Sequence, residues 1–232
     1  IFGRGGYQKI ADKVRDNASV ISTFAQFEHK PSLRLQKAAR SIMTNILFDR
    51  AEGKEDDAVR YYSANAEATE RLNREIQRID LGIRKMHIEP GPYGPQAFFE
   101  HEGLQHRLPL MLESHGTRSF VRNFPLVQHV LQHGGIAVVD EIDLSIHPLV
   151  LPEIIRWFYD PEHNPHKARL WMTCHSATLL DELAKEEVFF CEKDGKGRTS
   201  IFGLQNIRNV RRTDNRYRKY LSGVYGAVPN IG

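Results

Sequence analysis

The sequence holds 232 residues, 41% of them apolar, with 17 glycines and a net charge of +3; at roughly 150 residues per domain this is one large or two small domains able to bury a core, which excludes disordered and fibrous classes. Two cysteines, Cys174 and Cys191, build no disulfide scaffold and stand in no zinc-type spacing, and no run approaches the roughly 18 apolar residues of a membrane span. The expectation is a soluble, cytoplasmic protein with no membrane partner, whose small net charge leaves any polyanion binding to local clusters.

The chain opens on Ile1-Phe2-Gly3-Arg4 with no initiator methionine, leader or cap, and reads like the middle of a domain, so a preceding part is expected. From Ser32, which follows Pro31 and suits an N-cap, Leu35, Ala39, Ile42 and Ile46 recur at helical spacing and predict one helix. Glu52 to Asp57 hold four acids and one lysine and predict a solvated loop or a poorly ordered insertion. Ala68, Leu72, Ile76 and Ile79 mark one face of a second helix, whose other face carries Glu67 with Arg71 and Glu70 with Arg74 at i,i+4.

The turn formers Pro90-Gly91-Pro92-Tyr93-Gly94-Pro95 predict an internal boundary, and the chain divides into a helical lobe, residues 1–81, and a second part, residues 82–232. Ile83 to Ile88 and Ala97 to His101 read as strands, and Arg107 to Leu112, interrupted by Pro109, as an edge strand. After Gly116-Thr117 a helix runs to His133 with Phe120, Phe124, Val127 and Leu131 inward and Pro125 kinking or restarting it. Ile136-Ala137-Val138-Val139 is a continuous apolar run, mostly β-branched, as in a parallel strand buried on both faces. Leu151 to Tyr159 then predicts a helix, Leu170 to Cys174 a second buried strand, and Ala177 to Ala184 a helix. The alternation predicts an α/β fold of βαβ units. Val188 to Cys191 and Thr199 to Leu204, around Lys193-Asp194-Gly195-Lys196, predict a hairpin.

Five groups of residues invite a chemical reading. Asp140 and Glu141 end a parallel strand, where open α/β sheets place their ligands. Neighbours on a strand point to opposite sides, so Asp140 can hold Mg²⁺ through water while Glu141 orients and deprotonates a water; the alternative is two solvated acids. His175 follows the second strand on the same sheet edge, and donates to a phosphate or caps the next helix. Ser114, Gly116 and Thr117 precede a helix and form either an anion site or a plain N-cap. From Lys193 to Tyr220, nine cations (Lys193, Lys196, Arg198, Arg208, Arg211, Arg212, Arg216, Arg218, Lys219) face two acids (Asp194, Asp214), with Tyr217 and Tyr220 interleaved. That is a surface for nucleic acid or an acidic protein, or a solvated basic tail. His129 and His133 stand at i,i+4 as zinc ligands can, with no third ligand beside them, and an exposed polar face is the competing reading.

In this order the elements resemble the ATPase head of the ABC/SMC superfamily. Ser114-x-Gly116-Thr117 resembles its signature motif, Ile136 to Glu141 the Walker B strand with its catalytic glutamate, and Thr173-Cys174-His175-Ser176 the switch-histidine strand. Asp143-Leu144-Ser145-Ile146-His147-Pro148 takes the place of the D-loop, with Asp143, Ser145 and His147 as its polar residues. The closer similarity is to prokaryotic AAA-type ATPases that include the overcoming-lysogenization-defect proteins and the phage-defence ATPases of PARIS and Septu systems. It covers about Gly82 to Pro229 and includes the closing run Tyr225 to Pro229.

The resemblance implies a mostly parallel core sheet flanked by helices, with a helical insertion before it. It implies ATP and Mg²⁺ as cofactors, with Asp140 as the metal residue, Glu141 and His175 as catalytic residues, and Ser114, Gly116 and Thr117 contacting nucleotide in trans within a homodimer. It further implies a sensor or scaffold role in an anti-phage system beside an effector nuclease. One departure stands out: no Gly-x-x-x-x-Gly-Lys-Ser/Thr occurs in residues 1–232, so these residues look like the C-terminal part of a head and are expected to be inactive alone. Two other readings are an ATP-dependent nuclease of the overcoming-lysogenization-defect type, whose Toprim domain is not in this sequence, and a binding module that does not hydrolyse nucleotide.

Overall fold

Four β-branched or small residues after a pair of glycines set the centre of the molecule. The structure, a computed structural model, describes residues 8–11, 13–46, 54–79, 82–143, 150–211 and 213–228. α1 (Gln8–Ala11), α2 (Val20–Gln26) and α3 (Lys30–Arg40) lead into β1 (Ile42–Thr44), and α4 (Lys54–Ala64) and α5 (Ala66–Ile79) precede the strands β2 (Ile83–Gly91), β3 (Gly94–His101) and β4 (Leu108–Pro109). α6 (His115–His133), β5 (Ile136–Val139), α7 (Leu151–Tyr159) and β6 (Arg169–Met172) then alternate, followed by β7 (Phe189–Lys193), β8 (Thr199–Gly203) and α8 (Arg216–Leu221). The fold class is mixed α/β, as the alternation predicts.

β5 lies between β1 and β6 and is parallel to both. Its entry depends on Gly135, which has φ +120°; a Cβ there would stand 2.2 Å from the Ser41 carbonyl oxygen, the group that accepts the Ile136 N–H. Only glycine permits that approach. Alternation along the strands turns Met43, Ala137 and Leu170 toward the main core, while Ile42 and Trp171 on the opposite face are 47% and 66% exposed. The expectation of a strand buried on both faces is therefore corrected: the described residues cover one face.

The main core joins α4, α5, β2, β3, α6, β5 and α7, with Tyr62, Leu72, Ile76, Met86, Phe99, Val121 and Leu151 almost wholly buried. Helices from residues 1–81 thus share one apolar cluster with elements of 82–232. A smaller cluster of Leu180, Val188, Phe190, Leu204 and Tyr225 lies under the β7–β8 hairpin.

Several local expectations change. β1 begins at Ile42, so the helix from Lys30 stops at Arg40, and Ser32 sits inside its first turn, buried, with its Oγ 2.8 Å from the His29 Nδ1. Residues 54–57 open α4, whose first turn carries Glu55, Asp56 and Asp57; acids there complement the helix dipole, which is why a charge run becomes a helix. The Pro90–Pro95 turn formers close the β2–β3 hairpin, with Pro90 opposite Pro95 and Gly91 opposite Gly94. Leu110–Leu112 and Ala177–Asp181 are 3₁₀ turns, the latter in place of the expected helix.

α6 carries Pro125 in its interior and therefore lacks the N–H that should pair with the carbonyl of Val121. Tyr62 of α4, 1% exposed, donates its hydroxyl to that carbonyl at 3.0 Å. The proline that breaks one helical bond is thus what joins two helices. Tyr62→Phe should lower the unfolding free energy by about 1–3 kcal/mol, the range for a buried carbonyl left without a donor. In a denaturation double-mutant cycle, adding Pro125→Ala should recover part of the loss, because the new amide can satisfy Val121; strictly additive losses would contradict the pairing.

Candidate functional site

The carboxyl ends of β1, β5 and β6 are stitched together by two side chains. Asn45, just after β1, accepts the Asp140 N–H on its Oδ1 at 2.7 Å and donates Nδ2 to the Asp140 carbonyl at 3.0 Å. Thr173, just after β6, donates its hydroxyl to Asp140 Oδ1 at 2.5 Å and accepts the Glu141 N–H on the same oxygen at 2.8 Å. Thr173 also bonds through its backbone, its N–H to the Val139 carbonyl at 3.1 Å and its carbonyl from the Ile142 N–H at 3.0 Å. Ile142, 2% exposed, pins the turn to the core.

Inside this clamp Glu141 adopts φ +51°, a left-handed conformation that costs a non-glycine residue free energy and persists where neighbours enforce it. β5 ends at Val139, so Asp140 and Glu141 lie in a turn past the strand and are not successive strand residues on opposite faces as expected. Both are exposed, and so is His175. His175 donates its backbone N–H to Asp143 Oδ2 at 2.9 Å. Asp143 Oδ1 is buried with no partner among the described residues. Burial and the nearby Asp143 carboxylate raise the pKa of the Cys174 thiol, so this cysteine is a neutral packing group.

Asp140, Glu141, Asp143 and His175 are therefore brought into one connected turn, whereas Ser145 and His147 lie outside the described residues. Asp140 with the Thr173 hydroxyl presents hard oxygen donors at an exposed edge, a set that suits Mg²⁺, which takes few protein ligands and keeps its waters. No group of three or more His, Cys, Asp or Glu among the described residues forms a metal cage of its own. His129 and His133 instead stack at 4.5 Å between ring centroids, and the His133 Nδ1 lies 3.0 Å from the His129 carbonyl oxygen. Burial, then the neighbouring His133, holds the pKa of His129 below its ordinary value.

Ser114, Gly116 and Thr117 form a second cluster. Ser114 is the N-cap of α6, its Oγ accepting the Thr117 N–H at 3.1 Å, and Gly116 and Thr117 fall within the first turn of the helix and not ahead of it. The preceding residue is fixed too: the nearly buried Glu113 carboxylate lies 2.8 Å from His101 Nε2. On the next turn Arg118 grips Glu55 of α4 with two bonds of 3.0 Å.

The basic stretch from Lys193 to Tyr220 is partly spent internally. Arg216 is buried and donates to the carbonyls of Leu180 and Leu183, Arg198 pairs with Asp194, and Lys219 pairs with Asp214. Tyr220 stacks on Phe190 in the small core, so it is not an exposed platform.

Sequence reasoning missed Asn45 because the apolar spacing ran a helix straight through it, and it gave Thr173 no role although a hydroxyl one residue past a strand is a natural stitch. The two carboxylates and the histidine thus lie at the carboxyl edge of parallel strands, where open α/β sheets bind their ligands. The family model described as "AAA domain, putative AbiEii toxin, Type IV TA system" matches residues 1–181, and the chain belongs to that family. No curated protein matches it. Similar solved structures are an SMC ATPase from a study of ATP-driven dimerization and DNA-stimulated activation (9% identity over 73% of this chain and 96% of that one, TM-score 0.47); an SMC head bound to the C-winged helix domain of ScpA (10%, 70% and 55%, TM-score 0.44); and the SMC head domain from Thermotoga maritima (17%, 70% and 53%, TM-score 0.41). Among the described residues no helix is long and apolar enough to cross a membrane.

Thr173→Val removes the donor to Asp140 and the acceptor for Glu141 while keeping the shape. We expect a loss of about 1 kcal/mol in unfolding free energy and faster hydrogen exchange at the Glu141 amide, with Thr173→Ser restoring both. An unchanged Glu141 amide in the valine variant would show that the hydroxyl does not hold the turn.

Proposed function

We propose that this chain is the ATP-binding and ATP-hydrolysing subunit of an ABC/SMC-type head that dimerises around nucleotide, acting as a sensor or scaffold ATPase in a prokaryotic anti-phage system and controlling an effector nuclease. The observation that carries the reading is the Asn45–Asp140–Thr173–Glu141 clamp, which sets an exposed carboxylate in a strained turn at the ligand edge of three parallel strands.

In this reading Asp140 and Thr173 hold Mg²⁺ through their oxygens, and the metal, when bound, neutralises phosphate charge. Glu141 orients a water and takes its proton, the role its placement one residue beyond Asp140 supports. His175, on the adjacent strand end, donates a hydrogen bond toward phosphate. Ser114, with Gly116 and Thr117 in the first turn of α6, offers a helix N-terminus to the nucleotide of the opposing subunit, and the Glu113–His101 and Arg118–Glu55 pairs keep that turn in place. Asp143, Ser145 and His147 belong to the subunit contact. The lysine-bearing phosphate loop is not in residues 1–232. The alternative, an ATP-dependent nuclease of the overcoming-lysogenization-defect type, uses the same ATPase residues and differs in what the head drives.

Glu141→Gln in full-length protein should bind Mg-ATP as wild type does and turn over about 10²- to 10⁴-fold more slowly, since an amide still hydrogen-bonds water but accepts no proton. Steady-state phosphate release checks this, and wild-type turnover would remove Glu141 as the base. On residues 1–232 alone, without the phosphate-loop lysine, no turnover is expected with either residue at 141.

The subunit arrangement has its own test. Gly116→Arg should abolish turnover in homodimers by blocking the opposing nucleotide, and mixing it with a phosphate-loop variant should restore one site in two. Failure of every mixture to recover would rule out sites shared between subunits.

A further inference from the structure

α3 carries Lys30, Arg34, Lys37 and Arg40, all exposed, and no acid anywhere in its eleven residues. At about 100° per residue these four cations fall within an arc of about 120°, spread along a helix about 16 Å long. The buried side of the same helix is Ser32, which faces His29. None of the four makes an ion pair among the described residues, whereas Arg60, Arg71, Arg78, Arg84, Arg107 and Arg118 each sit within 4.0 Å of a carboxylate. Exposed Lys13 and Arg15 lie a short way upstream; Glu28 is the acid nearest in sequence, and the next, Asp49, lies outside the described residues.

Local stability does not account for this. Like charges three and four apart on a helix cost a few tenths of a kcal/mol per pair, and Lys30–Arg34, Arg34–Lys37 and Lys37–Arg40 are three such pairs. Lys37 and Arg40 in the last turn gain from the helix dipole, but Lys30 in the first turn opposes it. A row of cations with no ion pair among the described residues, kept at a cost, suits a row of anions from outside.

We propose that α3 is a docking face for the phosphate backbone of a nucleic acid duplex, bound without regard to sequence. Lysine and arginine reach phosphates as flexible cations, and four in line on one straight helix meet successive phosphates while making no base contact. A membrane surface fits less well: an interfacial helix needs a continuous apolar face, and the apolar residues Leu33 and Leu35, two positions apart, point to different sides. The face is also separate from the candidate catalytic turn. α3 runs into the amino end of β1, while Asn45 and Asp140 lie at the carboxyl ends of β1 and β5, so the four cations and the turn stand at opposite ends of the sheet. The surface differs from Lys193–Tyr220, where Arg198, Arg216 and Lys219 already have protein partners.

The test is fluorescence anisotropy with a labelled duplex of arbitrary sequence, without nucleotide, so that its outcome is independent of ATP hydrolysis. Wild-type protein should bind, and lose about 100-fold in affinity between 50 and 200 mM salt, the slope for about four phosphate contacts. Replacing Lys30, Arg34, Lys37 and Arg40 by Gln should weaken binding at least tenfold and flatten that slope, while leaving the circular dichroism spectrum and Tm unchanged or raised, since like-charge repulsion is removed. Exchanging Arg for Lys and Lys for Arg at the four positions should restore it. A control variant with Lys193, Lys196 and Arg208 changed to Gln should bind as wild type does. The proposal fails if the duplex does not bind, if the control variant loses binding while the α3 variant keeps it, or if phosphatidylserine vesicles at the same salt capture the protein through these four residues and the duplex does not.

Discussion

Two hydrogen-bonding side chains, Asn45 and Thr173, hold three strand ends in one plane, and everything placed at that edge depends on them. A three-stranded parallel sheet with strands of three and four residues has few ladder bonds. Its carboxyl end would fray if each strand simply ran into its loop. Asn45 brackets both backbone groups of Asp140, and Thr173 holds the Asp140 carboxylate and the Glu141 amide, so the ladder continues past the last strand residue through side chains. The positive φ of Glu141 is the visible cost of that arrangement.

The clamp would be of little use on a loose support. Beneath it Ile142 enters the same core as Val139, Phe124 and Trp157, and the last two meet edge to face at 6.0 Å. α6 brings Phe124 there although Pro125 breaks its ladder, because Tyr62 of α4 supplies the missing donor. α4 is tied to the first turn of α6 by Glu55 and Arg118 as well. The two candidate clusters therefore share α6 and its packing partners, the Ser114 cap at the first turn and the Asp140–Glu141 turn above Ile142 and mid-helix Phe124.

How much of this could be read from sequence follows from the range of the forces involved. β5 was legible because a mostly β-branched apolar run after a pair of glycines favours a strand, and α5 because Ala68, Leu72 and Ile76 recur at helical spacing and all reach complete burial. β1 was not legible. It is three residues long, and Ile42 and Ile46 continue the 3.6 spacing of Leu35 and Ala39 by coincidence, so tertiary pairing with β5 overrode a local signal that pointed the other way. Asn45 was lost with it, since its role exists only once β1 lies beside β5. The acidic run that opens α4 was misread for a different reason: charge was counted as solvation, whereas acids in a first turn stabilise their helix.

The same distinction between counting charges and placing them decides where a polyanion would sit. Residues 193–220 hold more cations than α3, yet folding uses part of them: Arg216 becomes a buried donor to two carbonyls, and Asp194 and Asp214 draw in Arg198 and Lys219. α3 has fewer cations, but none of them pairs with an acid among the described residues, so all four remain exposed after folding. The field that a distant phosphate feels is set by unpaired charge, because a pair at 2.6 or 2.7 Å is a dipole whose effect dies within a few ångströms in salt water. A net charge of +3 over the whole chain is therefore compatible with a strongly cationic ridge on one short helix. It is the ridge, and not the total, that selects the partner.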